Sequence, residues 1–191
     1  LAGAGADGNL YVWDINKNFA ATKINISKGL SAVCFAPNGR EIIVGDRSGV
    51  LRIVSNGIVI RILPGHNAPI EDIKFNHAGT FMASASKDYS VRLWNYAELG
   101  EQPILMSDHD WVWSVTFTPD DTQLMAGIQS TQTKATGEID QTIHAYPTNF
   151  EVMANILCDQ TKRNMTKTEW QNFVGKTIDY EKTCENFPSG K

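Results

Sequence analysis

Residues 83–94 read Ala-Ser-Ala-Ser-Lys-Asp-Tyr-Ser-Val-Arg-Leu-Trp: two alternating runs joined by a polar turn, Lys87-Asp88-Tyr89-Ser90, and closed by a large aromatic. The same punctuation recurs along the chain. Asp7, Ser48, Asp88 and Asp140 lie 41, 40 and 52 residues apart, and six positions after each stands Trp13, Val54, Trp94 or Tyr146. An independent ladder, Phe35, Phe75 and Phe117, keeps steps of 40 and 42. A period near 40 residues marks stacked supersecondary units that cannot bury their apolar faces alone, so the repeat decides the fold before any local motif does.

Each repeat resolves into short strands. Ile70-Glu71-Asp72-Ile73-Lys74-Phe75 alternates as a half-buried strand, and Asn76-His77-Ala78-Gly79 breaks it as a turn. Runs at 80–86, 91–94 and 103–106 complete a four-stranded unit. The preceding unit reads as strands at 31–35, 41–45, 50–54 and 58–63, with Asn38-Gly39 and Ser48-Gly49 supplying the positive φ that tight turns need. In the last unit Val112 to Phe117 is regular, but Gln129 to Gly137 inserts about ten polar residues before Asp140 and is expected on an exposed loop, where repeat proteins meet partners.

With 191 residues, 42% of them apolar, the chain is long enough to bury a substantial core. Residues 148–191 balance at six basic and six acidic groups, so the formal charge of -4 sits on the repeats. No lysine-arginine stripe is present to neutralise phosphates, and nucleic acid is not expected as a partner. No apolar run reaches the roughly 18 residues of a membrane span. The chain opens at Leu1, partway through a repeat, and is read as a piece of something longer.

Gly65-His66, Ser84, Ser86, Asp88 and Trp94-Asn95 together resemble a WD repeat, with Asn95 where the family usually has Asp. The resemblance covers residues 1 to about 147. It implies a β-propeller in which His66, Ser84 or Ser86, Asp88 and Trp94 form a buried hydrogen-bonded network tying three strands of one blade together. Only this blade has the full set. The last keeps Asp108-His109 for Gly-His, with Asp140 and Tyr146; the second keeps Ser48 and Val54; the first keeps Asp7 and Trp13. The expected fold is all-β, an incomplete ring of about 3.5 WD-repeat-like blades in segments of about 1–18, 19–57, 58–98 and 99–147. Upstream blades of the same chain would complete the ring.

The period changes at Pro147. Thr148 with Glu151 and Thr166 with Glu169 fit capping boxes, Met165 with Trp170 fits a hydrophobic staple, and Gly175 fits a stop, which predicts two short helices in a C-terminal extension, 148–191. Asn164-Met165-Thr166, Glu169-Trp170, Tyr180 and Thr183-Cys184 resemble the extension that follows propellers in large bacterial WD-repeat proteins of signalling or defence type, where an ATPase or peptidase-like module often precedes the blades.

No residue set predicts catalysis. Gly3-Ala4-Gly5-Ala6-Asp7-Gly8 spells a dinucleotide fingerprint, but Asn9 to Ile15 continues as a strand where the fingerprint needs a helix. His66 has no evident nucleophile beside it, His109 takes the matching place in the last unit, and His77 and His144 lie apart from both, so neither a general base nor a metal site is expected. Three cysteines are too few for a disulfide framework; Cys34 reads as a buried small hydrophobe, while Cys158 and Cys184 are open to three readings: free thiols, a disulfide, or half of a metal site. No cofactor is expected.

Trp111 reads as part of the loop entering the last blade, and Trp113 is out of phase with Val112 and Val115. By resemblance Trp113, Glu71 and Ser31 face the narrow end of the propeller, where such proteins grip peptides. Trp111 and Trp113 are read either as anchors for a protein or peptide partner or as packing between blades. The expected function is a non-enzymatic protein-interaction or sensing scaffold in a larger, bacterial protein, cytoplasmic unless Cys158 and Cys184 pair. The alternatives are a propeller enzyme whose ligands come from other blades and a purely structural spacer.

Overall fold

The alternating runs form antiparallel strands and the polar breaks between them form the turns. The structure is a computed structural model and describes residues 1–133, 139–173, 179–182 and 184–188. Contacts divide the chain into Leu1–Tyr146 and Pro147–Lys191. In the first unit, β1 (Ala2–Ala4), β2 (Asn9–Asp14) and β3 (Ala20–Asn25) form one sheet; β4 (Leu30–Phe35), β5 (Glu41–Asp46), β6 (Leu51–Ser55) and β7 (Ile58–Leu63) form a second. The third holds β8 (Ile70–Phe75), β9 (Phe81–Ser86), β10 (Ser90–Asn95) and β11 (Ile104–Ser107), and the fourth holds β12 (Trp111–Phe117), β13 (Gln123–Thr133) and β14 (Ile139–Pro147).

Each sheet is a meander in chain order, and first strands of successive sheets lie side by side, β4 against β8 and β8 against β12. These are propeller blades packed face to face. The repeat segments 19–57, 58–98 and 99–147 are offset from the sheets: each opens with the last strand of the preceding sheet, β3, β7 or β11. The offset ties neighbouring sheets through one continuous stretch of chain. Among the described residues the first and fourth sheets have three strands each, which leaves the ring open.

The core lies between sheets. Leu10, Leu30, Val44 and Val54 pack the first against the second, and Ile43, Leu51, Ile53, Ile70, Ile73 and Met82 pack the second against the third. Polar ties join the third sheet to both of its neighbours. The Asp121 carboxylate accepts from the backbone N–H of His77 and of Ala78, each at 2.9 Å, Asp72 accepts from the Val115 N–H at 3.2 Å, and the Tyr96 hydroxyl donates to Glu41. Cys34 is only partly buried, against the second core, because its strand's face is not fully covered.

The turn glycines are demanded by the next sheet as well as by φ. Gly8 and Gly49 occupy the same repeat position at φ 85° and 89°, and a Cβ on Gly49 would stand 2.2 Å from the His66 carbonyl oxygen. Tyr89 fills that position in the third sheet and adopts φ 66° despite its side chain. Gly5 to Gly8 is thus a hairpin turn between β1 and β2, with no helix following it.

The insertion of the last repeat departs from the sequence reading. Gln129 to Thr133 continue β13, so a polar segment read as loop is partly strand; residues 134–138 and the Asp140 side chain lie outside the described ones. Alternation was hidden there because Gln, Ser and Thr give no apolar period.

The second unit holds two helices, α1 (Phe150–Thr161) and α2 (Lys167–Phe173). Asn149 caps α1, its Oδ1 accepting from the Val152 N–H at 3.2 Å, where the sequence had pointed to Thr148 one residue earlier. The second box forms in both directions: Glu169 accepts from the Thr166 N–H at 2.8 Å and Thr166 Oγ1 from the Glu169 N–H at 3.1 Å. The side chains of Trp170 and Phe173, together with Gly175 and Thr183, lie outside the described residues. Cys158 and Cys184 are joined in a disulfide with Cα atoms 5.5 Å apart, which removes the free-thiol and metal readings.

Candidate functional site

The third sheet carries a directed chain of hydrogen bonds. Trp94 Nε1–H donates to Ser84 Oγ at 3.0 Å, the Ser84 hydroxyl to His66 Nε2 at 2.8 Å, and His66 Nδ1–H to Asp88 Oδ2 at 2.9 Å. Asp88 also accepts from the N–H of Asn67 at 3.0 Å and from the Ser90 hydroxyl at 2.6 Å. Burial pushes the Asp88 carboxyl up, but the bonds from His66, Ser90 and Asn67 outweigh it and hold the group well below the usual carboxylate range. Ser84 and Ser86 are both fully buried on β9, and the structure separates them: Ser84 links His66 to Trp94, while the Ser86 hydroxyl donates to the Ala68 carbonyl at 3.1 Å.

Ser84, His66 and Asp88 have the relative geometry of a nucleophile, base and orienting acid. Accessibility decides against that chemistry. Ser84 is 0% exposed, its oxygen already accepts from Trp94, and both His66 ring nitrogens are engaged, so no substrate carbonyl reaches the hydroxyl.

The neighbouring sheets place other groups at these positions. In the second, buried Asp46 accepts from the Ser48 hydroxyl at 2.6 Å and pairs with Arg52, a partnership the sequence reading missed because Asp46 stands two residues before the repeat's turn position. In the fourth, Asp108 replaces Gly65 and accepts from Tyr146 and, at 2.7 Å, from His144 Nδ1. The swap is coupled. A Cβ on Gly65 would stand 3.2 Å from the Trp94 ring, whereas the smaller Tyr146 leaves room for a carboxylate. Burial raises and these hydrogen bonds lower the Asp108 pKa, with a net depression. His109, read from sequence as the counterpart of His66, is exposed and joins this network through its backbone N–H, which donates to Asp108 Oδ1 at 2.6 Å.

The inner strands share a second feature. Leu30 pairs with Asp46 and Ala32 with Gly45; Ile70 pairs with Ser86 and Asp72 with Ala85; Val112 pairs with Ile128 and Ser114 with Gly127. Ser31, Glu71 and Trp113 are therefore the extra residue of a β-bulge at the same point in three successive sheets. A bulge re-aims its extra side chain away from the pleat's alternation. This explains why Val112 and Val115, three apart, are both buried while Trp113 between them is 36% exposed.

Trp111 is the first residue of β12 rather than loop, and its ring meets Trp113 edge to face with centroids 6.1 Å apart. Lys87, read from sequence only as a turn residue, lies over both. Its ammonium is 4.2 Å from the Trp113 ring centre, 5.5 Å from that of Trp111 and 3.1 Å from Glu71 Oε1. Glu71, Trp111 and Trp113 are thus brought together through Lys87. Ser31 stands apart, its hydroxyl donating to the Gly45 carbonyl at 3.4 Å.

Comparison with known proteins agrees with this geometry. Residues 57–95 and 100–144 match the family model described as WD domain, G-beta repeat. The chain carries WD40 repeats. It is 31% identical over 130 residues to periodic tryptophan protein 2 of Arabidopsis thaliana, 65% of this chain and 14% of that protein. It is 27% identical over 99 residues to meiotic recombination protein rec14 of Schizosaccharomyces pombe, 50% of this chain and 32% of that one, and 27% identical over 164 residues to apoptotic protease-activating factor 1 of Rattus norvegicus, 78% and 12%. The chain therefore spans a third or less of the length of these relatives. Within the WD40 repeats, the two matched stretches contain the Ser84–His66–Asp88–Trp94 chain and the Trp111–Trp113 pair.

Proposed function

We propose that these blades are part of a protein-interaction or sensing scaffold that grips a protein or peptide partner on the face presented by the bulges. The observation that carries this reading is the coincidence of three bulges at one repeat position, each turning a side chain out of the blade, with two tryptophans gathered at the third. Large aromatics at a partly shielded rim are efficient anchors, because they bury much area with little loss of rotamer freedom. The WD40 repeats support a binding role, and the engagement of both His66 nitrogens supports binding over catalysis.

The finer reading is a larger signalling or defence-type protein. It rests on the tail motif Asn164-Met165-Thr166, Glu169-Trp170 and Cys184, whose bacterial setting is not shared by the plant, yeast and rat relatives named above. The Cys158–Cys184 bond supports an oxidising compartment over the cytoplasm. No helix among the described residues is long and apolar enough to cross a membrane.

A photo-crosslinking residue placed at 113 or 71 in the natural full-length protein tests the face, with position 105 on β11 as reference. Crosslinks from 113 and 71 but not 105 are expected; equal capture from 105 would contradict the assignment.

A further inference from the structure

Lysine is among the side chains that lose most freedom when fixed, and on a surface it ordinarily extends into water. Lys87 does not. Its ammonium is held between the faces of Trp111 and Trp113 and the Glu71 carboxylate, and the paired side chains of Lys87 and Glu71 are only 27% and 19% exposed. Two aromatic quadrupoles and one anion converge on a single point, which is what recognition of an alkylammonium requires.

We infer that Trp111, Trp113 and Glu71 form a receptor for a lysine side chain of a bound peptide, and that Lys87 is its resident occupant, displaced when the peptide binds. This rests on the partner-binding reading of the same face. Three observations favour a peptide cation. The two rings and the carboxylate already hold an ammonium on a four-carbon stem. Two ammonium groups cannot share one carboxylate without repulsion, so entry of a second requires Lys87 to swing out, and its position at the Lys87-Asp88-Tyr89-Ser90 turn leaves it solvent to swing into. The repeats, finally, carry the whole formal charge of -4, which favours a basic partner over an acidic one. Methylation of the incoming lysine strengthens binding, because a methylated ammonium is less hydrated and makes broader contact with the rings.

The natural full-length protein, titrated with trimethyllysine amide and with its neutral carbon isostere while tryptophan emission is followed, tests the displacement. Lys87→Met keeps the stem against the rings and removes the competing charge. It is expected to bind the trimethyllysine probe about fivefold more tightly than the unaltered chain. Glu71→Gln in the Lys87→Met background should weaken the probe several-fold, and Trp113→Ala should abolish its saturable response, with circular dichroism confirming the fold of each. Lys87→Met binding no more tightly than the unaltered chain, or the neutral isostere binding equally well, would overturn the cation site. If crosslinking from position 113 persists in that case, the partner-binding face stands and only the ligand chemistry falls; loss of both removes the two readings together.

Discussion

The blades and the tail hold themselves together by different physics. In the blades, cores form between sheets, and buried polar chains such as Trp94–Ser84–His66–Asp88 pin strands that local contacts would leave loose. The tail, from Pro147 on, is too short to build such a core and relies on cross-links. Its disulfide joins α1 to the last segment, and Asn164, 1% exposed, reaches the carbonyls of Cys184, Phe187 and Pro188 with its amide nitrogen while its oxygen accepts from the Cys184 N–H at 2.7 Å. A repeat spreads stability over many similar interfaces; a short terminal unit concentrates it in a few bonds.

Reducing the disulfide, or replacing Cys158 and Cys184 by Ser, should break this comparison most visibly. A bond spanning 26 residues stabilises by about 3 kcal/mol through loop closure. Amide exchange is expected to show protection lost in α1 and α2 and unchanged in β5 and β9; equal loss in the blades would mean the two units are not held separately.

Asp88→Ala comes next, at about 1 to 3 kcal/mol, because it strips the acceptor from His66, Ser90 and Asn67 in a buried site. Urea melts against Glu101→Ala, an exposed reference, check it, with tail exchange expected to be unaffected.

Acid should reach both units, through different groups. Glu169 is held at about 2 by its hydrogen bonds from Arg163 and the Thr166 backbone, below its ordinary 4.5. Its folded pKa is depressed, so its contribution is complete above about pH 4.5 and fades as pH falls toward 2. Glu169→Gln should flatten the acid limb of α2 exchange while leaving that of the blades, where Asp88 is depressed in the same sense. An unchanged limb in the tail would remove the capping role of Glu169.

The fold was legible because the blade repeats its instructions: turn residue, alternating run and aromatic recur with one period, and β8 came out as Ile70–Phe75 on both readings. The candidate site was legible only in part. Trp113 declared itself by being out of phase, and a bulge is what permits Val112 and Val115 to be buried around it. Lys87 gave no such signal, since its role depends on how the turn after β9 approaches β12. A spacing of three between buried residues in an inner strand, shared by Ile70–Ile73 and Val112–Val115, was the trace that bulges left in the sequence. Asp46–Arg52 and Asp108–His144–Tyr146 were hidden because they preserve the function of the network while changing its residues. Asn149, Glu169 and the cysteine pair show the opposite limit, where the motif is local enough to place within a residue but pairing needs three dimensions.

The central claim is that blade networks maintain the fold while bulge residues bind the partner. Measuring melting and partner capture side by side for Trp113→Ala and Asp88→Ala in the full-length protein tests it most directly. Trp113→Ala is expected to weaken capture by about 1 kcal/mol or more with its melt unchanged, and Asp88→Ala to lower the melt while capture per folded molecule holds. A Trp113→Ala protein that melts as early as Asp88→Ala yet captures its partner normally would contradict the claim and make Trp113 a packing residue between blades.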